Sequence, residues 1–329
     1  MVKIHPVSPC CRAGSRRFGG RRQQCVSCGK TWRVFRHKRG RKTIRITSKL
    51  AERTVSQGVA VRHVARLSST RTLRTTQQRL KRSLDILTAR LVPDRRYRGS
   101  YILIADGLWY SFKGKDWVLY LMLLKPRRRN YAILLEPVIL PVRELFENWR
   151  QALETIPAPV RKCISVFVSD HFSASEKIAD TFNWIHQLCH FHLLSELHRR
   201  RGKRKVHIPG SMMREEIYQG ISQLLRGDDT GVERRLCRLV RDPQCPRKIA
   251  MIAREFLRVK NRYHAYLLYP ALTIPKTTNP VESLNQLLRK RTWMLRSPES
   301  VLQWATAFVR LRKNMVCNGT YVRLKNQPN

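Results

Sequence analysis

Carboxylates are scarce in this chain. Its 329 residues include 22 aspartates and glutamates against 66 lysines and arginines, a formal net charge of +44. That balance points to a polyphosphate partner, because each neutralised phosphate releases condensed counterions and gives affinity independent of base sequence. Long apolar runs are also missing. Nothing approaches the roughly 18–20 uncharged residues of a membrane span, and Met1–Pro6 offers no apolar signal region. The expectation is a soluble, unsecreted protein with no membrane partner. Cysteines number nine, which is no dense disulfide framework, and four of them precede residue 29, as in a metal site of a reducing compartment. Internal repeats and low-complexity tracts are absent. What is present is a 42% share of hydrophobic residues, with the basic ones spread along the chain. This argues for a packed core and against a ribosomal-type protein or a membrane-surface binder. One substantial core with one or two small modules is expected at this length.

The first module spans residues 1–46. Ser8-Pro9-Cys10-Cys11 and Cys25-Val26-Ser27-Cys28-Gly29 resemble the two knuckles of a zinc ribbon. In the second, two thiolates converge on a tetrahedral ion and the glycine permits the tight turn. The first knuckle has Ser8 where a cysteine is usual. Cys11, Cys25 and Cys28 therefore need Cys10 or His5 as a fourth ligand; the alternative is a degenerate knuckle without zinc.

Residues 47–98 read as a helix-turn-helix followed by a linker, with Leu50, Val55, Val59, Val64, Leu67, Leu73, Leu80, Leu84 and Leu87 at helical spacing. A helix beginning near Thr70 would enter a major groove with Arg71, Arg74, Gln77, Gln78 and Arg79, since arginine and glutamine each present bidentate contacts to a base edge. The alternative is an ordinary basic helical linker.

From residue 99 the periodicity changes. Short apolar runs at Tyr101–Ala105, Trp117–Leu124, Tyr131–Leu135 and Cys163–Ser169 predict strands, and Val142–Thr155 predicts a helix with Leu145, Trp149 and Leu153 on one face. Residues 99–200 thus form the first part of an α/β core, 201–275 a helical insertion and 276–329 the closing part of the core. Trp109, Trp117 and Trp184 are expected in packing.

Asp106 and Asp170 each follow an apolar strand-like run, where carboxylates at the tips of adjacent strands can converge. Taken alone, an aspartate there is more often a turn former. The third carboxylate is Glu282 in Thr277-Thr-Asn279-Pro280-Val-Glu282. It has a plain alternative, a capping box with Asn279 as the cap and Pro280 at the first helical position. Asn285, Gln286 and Arg289 lie three, four and seven residues on, along the same helix face.

Ala105-Asp106-Gly107, Ser169-Asp170, Cys189-His190-Phe191-His192 and Thr277-Thr-Asn-Pro-Val-Glu282-Ser-Leu-Asn-Gln-Leu-Leu-Arg289 together resemble the mutator-type bacterial insertion-sequence transposases, over Tyr101 to about Val316. The resemblance implies an RNase H-like core with an all-α insertion. It also implies a metal triad at Asp106, Asp170 and Glu282 holding two Mg²⁺ or Mn²⁺ ions, with Cys189 and His192 as a structural signature. A Cys/His pair supplies too few ligands for a structural zinc, so packing and hydrogen bonding are expected of it. The implied activity is DNA strand cleavage and transfer in the bacterial cytoplasm, at the nucleoid. DNA partners would be terminal inverted repeats and target DNA, with Arg199–Lys205 on phosphates, Asn285 and Arg289 near the DNA, and a homo-oligomer joining two ends. A decayed DNA-binding descendant, or a nuclease or resolvase on the same fold, are the rivals.

Overall fold

A computed structural model describes residues 7–19, 22–33, 46–67, 72–91, 99–201 and 210–317. His5, Arg71, most of the expected linker and the second half of the basic run 199–205 lie outside them. The chain divides into a small unit, Met1–Arg45 with Leu67–Ser69, and a large unit, Ile46–Arg66 with Thr70–Asn329. The small unit is an antiparallel sheet of β1 (Ser15–Arg17), β2 (Arg22–Cys25) and β3 (Thr31–Arg33), in that order.

The large unit opens with α1 (Ser48–Gln57), α2 (Val61–Leu67) and α3 (Leu73–Arg90). Thr47 caps α1 by accepting from the Leu50 N–H, and Gly58 ends it in the left-handed region at φ +69°. The helix predicted from about Thr70 begins instead at Leu73, because the Thr72 hydroxyl accepts from the Thr75 N–H at 3.2 Å.

Two strands then form a hairpin, β4 (Tyr101–Phe112) and β5 (Lys115–Pro126). Its two-residue turn, Lys113-Gly114, has positive φ at both positions (+51° and +75°), the geometry that suits the twist of paired strands. β6 (Tyr131–Leu134) and β7 (Val138–Pro141) pair one after the other along the same edge of β5. Next come α4 (Phe146–Glu154), α5 (Ala158–Arg161), β8 (Ile164–Ser169), α6 (Ser175–Thr181) and β9 (Ile185–Leu188). A helical run follows: α7 (His190–Arg201), α8 (Ser211–Leu224), α9 (Val232–Arg241), α10 (Arg247–Arg258), α11 (Lys260–Tyr263) and α12 (Ala265–Leu268). Then α13 (Asn279–Thr292), α14 (Pro298–Arg312) and β10 (Asn314–Val316) close the chain.

The strands make one mixed sheet in the order β10-β6-β5-β4-β8-β9, with β7 paired to β5 off that path. β5 runs antiparallel to both β4 and β6, whereas β8 runs parallel to β4 and β9 parallel to β8. The parallel half is buried on both faces, as parallel sheets require. On one face Ile102, Ile104 and Leu108 of β4 pack under α3, α13 and α14; on the other Leu103 and Ala105 meet Trp149 of α4 and Ile178 of α6. A separate apolar cluster holds the helical run together.

Several expectations need correction. Asp106 does not stand at a strand tip: β4 continues for six residues past it, because Leu108, Tyr110 and Phe112 keep alternating against β5. The predicted helix Val142–Thr155 starts later, at Phe146; Val142 has φ +73° and Leu145 is exposed. The helical cluster begins before residue 201, since Leu193 and Leu197 of α7 belong to it. Within the helical insertion, α10 ends at its C-cap Val259 and the short α11 follows directly.

Helices α1 and α3 share the core of the sheet. Ala51, Val55, Leu80, Leu84 and Leu87 lie in one apolar cluster with β4 and α14, and the Arg291 guanidinium donates to the carbonyls of Val55 and Ser56. Leu84→Ala, which empties a fully buried site, is expected to cost about 2–5 kcal/mol and to lower the main thermal transition of the large unit. A separate early transition, with the main one unmoved, would show that α1–α3 unfold on their own.

Candidate active site

Parallel pairing of β4 with β8 sets the site. Ile104 stands opposite Val168, so two residues further along each strand Asp106 and Asp170 reach the same level on the same face. α13 crosses that face with Val281, Leu284 and Leu288 in the apolar cluster, which turns Glu282 and Asn285 toward Asp106. The Asn285 amide donates to Asp106 Oδ2 at 2.5 Å, and the Gly107 N–H donates to Oδ1 at 2.9 Å.

Glu282 is not part of a capping box. α13 begins at Asn279, one residue earlier than the box requires, and the cap position, Thr278, makes no side-chain capping bond. The Glu282 carboxylate instead accepts from His192 Nε2 at 2.8 Å. Behind it a chain of contacts runs inward: His192 Nδ1 to Thr278 Oγ1 at 3.5 Å, and Thr278 Oγ1–H to Cys189 Sγ at 3.2 Å. Cys189 and His192 therefore fasten the start of α7 to the start of α13 through these contacts.

The charges explain the protonation pattern. Asp106 is 7% exposed; burial, then the carboxylates of Asp170 and Glu282, push its pKa up to about 8. Burial likewise raises Asp170. The His192 hydrogen bond holds Glu282 below its ordinary range. Burial opposes a charge on His192, but its contacts to Cys189 and Glu282 outweigh that and push it up to about 11. Among the described residues, no lysine or arginine forms an ion pair with Asp106, Asp170 or Glu282. In a chain so rich in basic residues, elsewhere as paired as Arg310 on Glu136, these carboxylates are set apart by having His192, on Glu282, as their ion-pair partner.

A fourth carboxylate, not singled out from the sequence, joins them. Glu144, between β7 and α4, accepts from the Trp109 indole at 2.9 Å. Burial, then Asp170, push its pKa up to about 7. The sequence signal was Asp106-Gly107: a Cβ at position 107 would stand 2.2 Å from Glu144 Oε1, so the glycine lets the end of the Glu144 side chain approach the strand there and serves no turn. Trp109, expected in packing, is 43% exposed and serves Glu144 instead. Trp184 is buried as expected.

Other candidates lie outside the cluster. Arg74, Gln77 and Gln78 are exposed on α3, and Gln286 and Arg289 are exposed on α13. Arg199 and Arg200 pair with Glu196, and Arg201 is buried against Glu215 and the Tyr218 ring, so this part of the expected phosphate-binding run is already engaged.

Among the described residues, two groups have ligand atoms all within 4.8 Å of one another: Cys10, Cys11, Cys25 and Cys28, and His171, Glu176 and Glu255. The Asp106, Asp170 and Glu282 oxygens are spread more widely. The four thiols satisfy the count of a tetrahedral structural site, with Cys10 as fourth member and its Sγ 3.3 Å from that of Cys28. The His171 group is an ion-pair network instead, because the Arg258 guanidinium already bonds both glutamates.

No known family model matches the chain, and no curated protein is significantly similar to it in sequence. What the structure itself defines is a mixed α/β protein with a mixed sheet, a carboxylate cluster beside the central strand and a four-cysteine cluster near its N-terminus. No helix among the described residues is long and apolar enough to cross a membrane.

Proposed function

We propose that the chain is a DNA transposase that cleaves and joins strands at Asp106, Asp170 and Glu282. The observation that carries this reading is the gathering of these carboxylates, 176 positions apart at the extremes, into one cluster, with Asp106 buried, Asp170 and Glu282 partly buried, and no lysine or arginine paired with them among the described residues. Two further features support it. The order β6-β5-β4-β8-β9, antiparallel then parallel, is that of an RNase H-like sheet, and the helices between β9 and α13 fill the place of an all-α insertion. The net charge of +44 suits a DNA partner.

Asp106, Asp170 and Glu282 would hold Mg²⁺ or Mn²⁺, hard ions that prefer oxygen ligands. The fit is supported by oxygens buried without a hydrogen bond on Asp170 (Oδ1) and Asn285 (Oδ1). When bound, such ions stabilise both the attacking and the leaving oxygen of an in-line phosphodiester displacement. Asn285 steadies Asp106, and protonated His192 aims Glu282. In the first displacement water attacks phosphorus and a 3′-hydroxyl departs; in the second that 3′-hydroxyl attacks a target phosphodiester and releases a target 3′-hydroxyl. Exposed Arg74, Gln77 and Gln78 would read the terminal inverted repeats, and exposed Arg289 would meet phosphate. Two ends joined in one event call for a dimer or larger assembly on DNA.

The test is a strand-transfer assay with end DNA, a target plasmid and Mn²⁺, comparing wild type with Asp170→Ala and Glu282→Ala. Joined products that vanish in both variants support the proposal. Cleavage without joining makes the protein a nuclease; DNA binding with neither leaves a decayed binder.

The four cysteines would hold one structural Zn²⁺. Metal analysis of the purified chain is expected to give about one zinc per molecule, lost in Cys25→Ser/Cys28→Ser, whose N-terminal unit then unfolds because such ions supply most of a small module's folding energy. Zinc-free protein with a folded N-terminal unit would contradict this.

A further inference from the structure

We propose that Glu144 is a fourth carboxylate ligand of the divalent-ion site, sharing an ion with Asp170. The proposal rests on the metal-dependent reading above and extends it to a residue on the opposite side of the sheet. Glu282 and Asn285 approach Asp106 from the face covered by α13, whereas Glu144 precedes α4, which packs on the other face. It passes beside β4 where that strand has no side chain: an added Cβ at Gly107 would lie 2.2 Å from Glu144 Oε1 and 2.7 Å from Cδ. The carboxylate thus lies against the residue that follows Asp106.

Its bonding is half complete. Trp109 Nε1–H donates to Oε2 at 2.9 Å, while Oε1 is buried with no hydrogen bond of full geometry and has the Trp149 indole N–H, likewise short of one, as the donor turned toward the same carboxylate. Asp170 Oδ1 is likewise buried without a hydrogen bond. So, independently, is Oδ1 of Asn285, a neutral side chain only 6% exposed whose amide end is fixed on Asp106. Buried oxygens left bare on three separate elements carry a desolvation cost that a cation would remove for all of them.

A purely structural glutamate would be expected to find a basic partner in this chain, as Glu136, Glu196 and Glu255 do. Among the described residues Glu144 forms no ion pair. Trp109 gives it orientation without neutralising it, which is how the outer shell of a metal ligand behaves.

The experiment is Mn²⁺ binding to the full chain, followed by electron paramagnetic resonance of the free ion. Wild type is compared with Glu144→Gln, Gly107→Ala, Asp170→Asn and the exposed neighbour Glu147→Gln. Glu144→Gln is expected to weaken Mn²⁺ binding by about tenfold or more, since even outer-shell losses reach that size. Gly107→Ala keeps Glu144 but displaces it, at the flexible end of its side chain, and is expected to weaken binding similarly with an unchanged circular dichroism spectrum. Glu147→Gln should bind as wild type. Should Glu144→Gln and Gly107→Ala both bind like wild type while Asp170→Asn does not, Glu144 is no ligand. If Asp170→Asn also binds like wild type, the metal-dependent reading itself fails.

Discussion

Asp106→Asn is expected to lower strand cleavage by at least about a thousandfold, roughly 4 kcal/mol of barrier, while DNA binding stays within about threefold of wild type because phosphate contacts carry it. The reason lies in what the amide keeps and what it loses. It keeps the shape of the side chain and an oxygen to accept from Asn285 Nδ2, so α13 stays seated on β4. It loses the charge, and with it the central member of the carboxylate cluster. Glu282→Gln should act alike, through loss of both its charge and its ion pair with His192. Groups that act as a unit are strongly non-additive, so the double variant is expected to be no worse than either single one. Measured single-turnover rates within about tenfold of wild type for Asp106→Asn would remove this residue from the reaction.

Stability should depend on pH and on divalent ions in a particular direction. Asp106 and Glu144 have pKa values of about 8 and about 7, raised first by burial and then by neighbouring carboxylates. A carboxyl group with a raised folded-state value binds its proton more tightly when folded. Its contribution is complete below the unfolded value near 4 and is lost as pH climbs toward the folded value. His192, raised to about 11 by its contacts despite burial, adds a loss above about 6.5 in the same direction. Glu282 is lowered by the His192 hydrogen bond; its contribution is lost only in acid and does not offset the others at neutral pH. Burial pushes His186 and His190 down to about 3 and about 4, so they gain stability as pH rises to about 6.5 and offset the carboxylates there; protein freed of Mg²⁺ and Mn²⁺ is therefore expected to lose stability from about pH 7 to pH 9, by about 1.4 kcal/mol per pH unit for each net proton released. At about 2–4 °C per kcal/mol, a shift of the main transition is easily followed by calorimetry. Adding Mn²⁺ should reverse the loss, because ions that bind only the folded state stabilise it. Asp106→Asn should be more stable than wild type at pH 8 without Mn²⁺ and respond less to the ion. A wild-type transition indifferent to both pH and Mn²⁺ would mean that the carboxylates are not coupled as described.

Asp106, Asp170 and Glu282 were legible because each sits in a distinctive local string, and Cys189 and His192 because of their spacing. Glu144 was not: a lone glutamate before a helix in Pro141-Val142-Arg143-Glu144 looks like a solvated loop residue, and only the fold brings it under Gly107. Asp106 was misplaced at a strand tip because Gly107 and Ser111 interrupt the apolar pattern, although pairing with β5 carries the strand on to Phe112. β9 and β10, four and three residues long, are too short to show a period; each exists because a longer strand offers it an edge, β8 for one and β6 for the other. At Asn279-Pro280 the capping reading was locally sound, but the pull of His192 on Glu282, a contact across 90 residues, decided the matter. Integration of α1 and α3 with the sheet was invisible for the same reason, since helical spacing reports an apolar face and not what covers it.

The most direct test takes a labelled, pre-nicked duplex from the DNA flanking the protein's own coding sequence, a supercoiled plasmid and the wild-type chain, with Mg²⁺ or Mn²⁺. Label covalently attached to the plasmid is expected in the presence of either ion, and none without them. Plasmid that remains unlabelled with both ions, while the chain stays folded and bound to the duplex, would contradict the transposase proposal.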